Sequence, residues 1–171
     1  MRSVKVGGKS KVYDIDDLDI IILEKLLGDA KVTFKELAEL TKSDQRTIAN
    51  HFERMLKLGI IKRVTVEVDW SKIGLMVSAF MGSTTALGAE DVKALFNFMR
   101  REPRVLEAYR TLGTHEYFMK VLDRDISTLR SGISGPLESL TADLSTSIIV
   151  DPVKEPDFVG LLRYLKKVRH G

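Results

Sequence analysis

The chain offers little for covalent chemistry. It contains no cysteine, which excludes a disulfide scaffold, a thiolate-held zinc or iron–sulfur site and a thiol nucleophile. Its three histidines, His51, His115 and His170, stand far apart and show no HxxxH or HExxH spacing, so no local metal motif is present. No catalytic residue, metal or cofactor is expected. What the chain does offer is a series of hydrogen-bonding side chains at helical spacing: Gln45, Arg46, Thr47, Asn50, His51 and, one turn on, Arg54. Arginine matches the bidentate edge of guanine, and glutamine or asparagine that of adenine. The segment carrying them, residues 42–63, has a net charge of +4, against −5 for residues 14–41. A basic patch holds phosphates whatever the base sequence. The near-neutral total of +3 over 171 residues conceals this division.

These side chains need elements to position them. Ile20, Ile21, Leu23, Leu26 and Leu27 form a helical apolar stripe, with Asp16, Asp17 and Asp19 at its favourable end. Thr33 and Glu36 have the spacing of a capping box that opens a second helix. After the break Thr41-Lys42-Ser43, Asp44 is placed to cap a third helix, with Ile48, Phe52, Met55 and Leu56 inward and Gly59 as terminator. Three helices with so short a break predict a helix-turn-helix. From Arg63 to Asp69, Val64, Val66 and Val68 alternate with Thr65 and Glu67, which predicts a half-buried strand.

The period then changes. Strands are predicted over 75–84, 105–112, 116–122 and 144–150, and helices over 90–101 and 126–140. The order β-α-β-β-α-β predicts a ferredoxin-like sheet with both helices on one face. The first and third of these strands are apolar on both faces, so the open face needs a second layer, and a second copy of the chain is the cheapest source. Residues 156–168 form a last amphipathic helix with a basic side. The fold class is therefore α+β: an N-terminal helix-turn-helix (winged-helix-like) domain followed by a ferredoxin-like βαββαβ domain. The expected divisions are a basic arm, 1–13; the helical head, 14–62; a strand and hinge, 63–74; the sheet domain, 75–153; and the terminal helix, 154–171. No apolar run reaches membrane-spanning length, and residues 1–13 lack a signal-peptide core, so a cytoplasmic location is expected.

The ordered motifs resemble the Lrp/AsnC, or feast/famine, regulators from about Ile15 to Val150. Ile15-Asp16-x-x-Asp19-x-x-Ile22-Leu23-x-x-Leu26-x-x-Asp29-Ala30-Lys31 is similar to that family's opening, and Glu36-Leu37-Ala38 to its second helix. Thr47-Ile48, Met55 and Gly59-Ile60-Ile61 fall at its recognition-helix spacing. Val105 to Tyr109 and then Gly113-Thr114-His115-Glu116-Tyr117 resemble the stretch leading into the family's GxxD loop. The departures are Asp44 for a serine, Lys42 for a glycine, His51 for an arginine and Glu116 for the loop aspartate.

The resemblance implies a transcriptional regulator that binds double-stranded DNA as a dimer, tetramer or octamer, with a RAM-type ligand domain answering to a small molecule, an amino acid in the first instance. The third helix would read bases through Gln45, Arg46, Thr47, Asn50, His51 and Arg54. Lys42, Lys57, Lys62 and Arg63 would meet phosphates. The effector would sit at Gly113, Thr114, His115, Glu116 and Tyr117, with Ser145 and Ser147 facing the same cleft. Glu116 would accept from an amino group, and His115 would meet a carboxylate. The arm residues Arg2, Lys5, Lys9 and Lys11 lie outside the family's pattern and could enter a minor groove as homeodomain arms do. Plainer alternatives stand beside these: a solvated helix face, a tight hairpin turn and a tail without partners. Two other functions share the scaffold, a siroheme-decarboxylase-like enzyme and a DNA-architectural protein of low specificity.

Overall fold

The structure is a computed structural model, and it describes residues 12–85 and 88–170. The basic arm, residues 1–11, therefore lies outside the described residues, with its Arg2, Lys5, Lys9 and Lys11.

Three helices open the chain: α1 (Asp17–Gly28), α2 (Phe34–Thr41) and α3 (Gln45–Leu58). Each starts on a side chain that satisfies an otherwise orphaned backbone donor. Asp16 accepts from the Asp19 amide while Asp19 accepts from that of Asp16, and Thr33 and Glu36 repeat the exchange on α2. Asp44 accepts from the Thr47 amide at 2.8 Å on α3. Lys42 closes α2 in the left-handed region, at φ 55°, and Gly59 closes α3 at φ 72°. Ile22, Leu37, Ala38, Ile48 and Met55 form the shared core, and Phe34 packs on Phe52 with ring centroids 5.3 Å apart.

The second body is a four-stranded antiparallel sheet in the order β2-β3-β1-β4, built from β1 (Val77–Thr85), β2 (Val105–Arg110), β3 (Tyr117–Asp123) and β4 (Thr141–Ile148). Helix α4 (Ala89–Arg101) crosses from β1 to β2. The second crossover is broken into α5 (Ile126–Leu129), a π turn (Arg130–Ser134) and α6 (Gly135–Glu138), where a single helix is predicted from sequence. Gly132, Gly135 and Pro136 in this stretch favour such a break.

Arg104 anchors the broken crossover. Its guanidinium reaches Glu102, Asp123 at 2.9 Å and the Gly132 carbonyl at 3.1 Å. A Cβ on Gly132 would stand 2.5 Å from that guanidinium, so the π turn admits the arginine because residue 132 has no side chain.

Ala79, Met81, Tyr117, Met119 and Val121 point toward the helices and pack with Leu95, Met99, Leu129, Ile133 and Leu137. The opposite face of the sheet carries Phe80, Gly82, Phe118 and Lys120, with Ser145 and Ser147 in register beside Gly82 and Phe80.

Residues 63–69 do not form the predicted strand. They run without a ladder, and Val64 and Val66 are 56% and 79% exposed. Their alternation suits one buried face, but a strand also needs a partner's hydrogen bonds, and none is present among the described residues of one chain. A 3-10 turn (Trp70–Ile73) follows. The last helix, α7 (Phe158–His170), groups with the helical body rather than with the sheet it follows. One body runs to Glu67 and resumes at Lys154, and the other is Val68–Val153. Among the described residues, no helix is long and apolar enough to cross a membrane.

Candidate functional site

Helix α3 presents two sides. Ile48 and Met55 are buried, while Gln45, Arg46 and Asn50 are exposed over its first half, where Asp44 fixes the helix start. Thr47 is half-buried, and its hydroxyl donates to Asp44 at 2.9 Å. The Thr47 amide and hydroxyl hold the Asp44 carboxyl below its usual range.

His51 and Arg54 are engaged within the domain. His51 Nδ1 lies 2.9 Å from Oδ1 of Asp19, and Arg54 pairs with both Asp19 and Asp16. The Asp19 side chain has no exposure at all. Burial pushes its carboxyl up, but His51, Arg54 and the Asp16 backbone act in the opposite sense and prevail, so it sits below its usual value. Asp16, Asp19 and His51 come close enough to resemble a metal-ligand group, but the Arg54 guanidinium already supplies the cation there. The sequence offered a hint of this cluster in the acidic first turn of α1, though its partners lie 32 and 35 residues away. Lys42, Lys57, Lys62 and Arg63 are exposed.

The loop between β2 and β3 gathers the second group. Gly113 takes φ 148°, a region that side chains rarely adopt, and lets the chain reverse. The Thr111 amide donates to the Glu116 carbonyl at 2.7 Å, and the Thr111 hydroxyl to the His115 carbonyl. The His115 ring packs against Gly82 of β1: a Cβ on Gly82 would stand 2.7 Å from it. Its Nε2 is 3.4 Å from the Ser145 hydroxyl, which also donates to the Gly82 carbonyl at 3.2 Å. Its Nδ1 is buried and has no hydrogen-bond partner among the described residues.

Thr114 and Glu116 are exposed, and Ser147 lies two residues along β4 from Ser145, on the same face. Tyr117 parts from this group. At 2% exposure its ring is in the core, edge-on to Phe96 at 5.4 Å. Strand alternation accounts for the separation, since β3 sends Tyr117 to the helix side.

A helix-turn-helix head joined to a ferredoxin-like ligand domain defines a two-domain DNA-binding regulator. Residues 15–62 match the winged helix-turn-helix DNA-binding family, and residues 78–157 match the Lrp/AsnC ligand binding domain. The chain is 30% identical over 139 residues to the regulatory protein AsnC of Haemophilus influenzae, covering 81% of this chain and 92% of that one. It belongs to the Lrp/AsnC family and is a transcriptional regulator, not an enzyme. The structure of Escherichia coli AsnC superposes with a TM-score of 0.78 at 28% identity, over 86% of this chain and 99% of that one. A transcriptional regulator of Neisseria meningitidis, solved as a complex with L-Met, shares the fold at a TM-score of 0.74 and 18% identity, over 83% and 94%.

Proposed function

We propose that this regulator reads duplex DNA sequence through Gln45, Arg46 and Asn50, with Thr47 at their flank and Lys42, Lys57, Lys62 and Arg63 on phosphates. The carrying observation is the exposure of those first three side chains on the N-terminal half of α3. That is the part of a recognition helix that reaches base edges. His51 and Arg54 serve this reading as positioning residues, because Asp19 and Asp16 already hold them.

Self-association is supported by uncovered apolar surface. Val64, Val66, Phe80, Leu106 and Tyr109 are exposed, and Trp70, Leu75, Leu106 and Leu122 line a cleft of about 260 Å³ beside Pro103 and Arg104. A second copy of the chain would cover it, and a dimer would present two α3 helices to two half-sites. Tetramers and octamers follow if further copies associate. A cytoplasmic location is the reading that fits a DNA-binding regulator.

The effector is an amino acid held by Gly113, Thr114, His115, Glu116, Ser145 and Ser147. The buried, unpartnered Nδ1 of His115 and the Neisseria regulator's complex with L-Met support this reading. Tyr117 contributes by holding the loop's end in the core.

Selection of bound duplexes from a random pool tests the DNA reading. The expected result is an enriched motif of two half-sites about one helical turn apart. A pool recovered without enrichment would overturn sequence reading and leave an architectural protein. Thermal shift against the common amino acids, repeated on Glu116→Ala, tests the loop. One ligand should stabilise the parent chain and lose its effect in the variant.

A further inference from the structure

We propose that the C-terminal helix α7 is a brace for the recognition helix, acting through the first turn of α1. The helix lies beyond the region matched by the ligand-binding family, which ends at residue 157. It is nevertheless part of the helical body. Asp157 starts it by accepting from the Gly160 amide at 2.7 Å. Val159 and Leu162 are half-buried, while Phe158 and Leu161 stay exposed.

Two cations fasten α7 to α1 and to the residue two positions before its cap. Arg163 Nε donates to Glu24 at 3.2 Å, and Arg169 pairs with Asp14. Arg169 also lines a small cleft with Asp14, Ile15, Asp16, Asp17 and Ile20. The start of α1 beside that cleft carries Asp16 and Asp19, which hold His51 and Arg54 of α3. The start of α1 is thus a common footing for the helix proposed to read DNA and for the last helix of the chain.

Residues 149–157 join β4 directly to α7, and β4 carries Ser145 and Ser147. If those serines belong to the effector site, as proposed above, this segment is a second covalent link between that site's strand and α7, besides the 63–74 hinge. The brace itself requires no effector.

The test uses the full chain and hydrogen exchange read by mass spectrometry, without DNA. Leu162→Asp should free α7 and speed exchange over residues 17–22 and 45–55 as well as over α7 itself. Faster exchange confined to α7 would overturn the proposal. If that variant fails to fold, a charge swap carries the test. Arg169→Glu and Asp14→Arg should each speed exchange in α1 and α3 by about two- to fivefold, the range expected of one surface pair, and the double variant should restore it. Unchanged exchange in the single variants, or no restoration in the double, would overturn it. Because exchange needs no operator, failure of the DNA reading leaves this result standing.

Discussion

His51 of α3 meets Asp19 of α1 at 2.9 Å, and the carboxylate it meets is wholly buried. A buried carboxylate is tolerable when its charge is balanced and its lone pairs are filled, and Arg54 and the Asp16 amide complete that shell. Helix α3 is therefore tied to α1 through a buried acid.

Asp19→Asn should cost about 2–3 kcal/mol, because it keeps the shape but removes the charge that the Arg54 guanidinium faces and weakens the hydrogen bond to His51. Urea unfolding of the variant and the parent chain at neutral pH measures the difference. Equal midpoints would show the cluster to be dispensable.

The same residue sets an acid limit. Its folded carboxyl lies below its ordinary 3.8, so the unfolded chain binds the proton more readily. The stability this contributes is present in full above the unfolded value and is lost as pH falls through the folded one. Unfolding midpoints should decline below about pH 4, and the decline should be shallower in Asp19→Asn. Parallel profiles would contradict the assignment.

Lys42 occupies a left-handed position at φ 55°. Lys42→Gly should relieve about 1 kcal/mol of backbone strain, and the salt dependence of DNA binding should fall by about one phosphate contact. Melting temperature and the slope of affinity against salt report the two effects separately.

Arg46→Ala and Asn50→Ala should each relax base preference by about 1–3 kcal/mol at one position of the selected site. Lys57→Ala should instead weaken all duplexes alike. Competition binding with single-base variants of the site distinguishes the two patterns, and a uniform loss in Asn50→Ala would remove it from the reading set.

Gly82→Ala should displace His115, since the added carbon would meet its ring at 2.7 Å. A loss of about 1–3 kcal/mol is expected from overpacking. The His115 ring resonances should move, and any amino-acid thermal shift should shrink. An unmoved ring would place the contact outside the loop's function.

Local signals explain what was legible in the sequence. The caps Thr33 and Asp44 each act within three residues, so the second and third helices could be read directly from their spacing, and the first from its apolar stripe. The four strands and α4 followed from period. Long-range pairings were not legible: Arg54 meets Asp19 across 35 positions and Arg169 meets Asp14 across 155, and no periodicity encodes either. Residues 63–69 misled because alternation reports a buried face but says nothing of where the covering partner comes from. Tyr117 sat within a polar loop motif, yet strand parity turned it into the core.

The chain crosses between its two bodies twice, near Glu67 and again near Lys154. A protease that nicks the exposed 63–69 stretch would therefore not set the head free. The C-terminal fragment would retain α7, still seated on α1, and the cut protein should migrate as one species until denaturant separates its halves. Release of the head would require a second scission, after Val153.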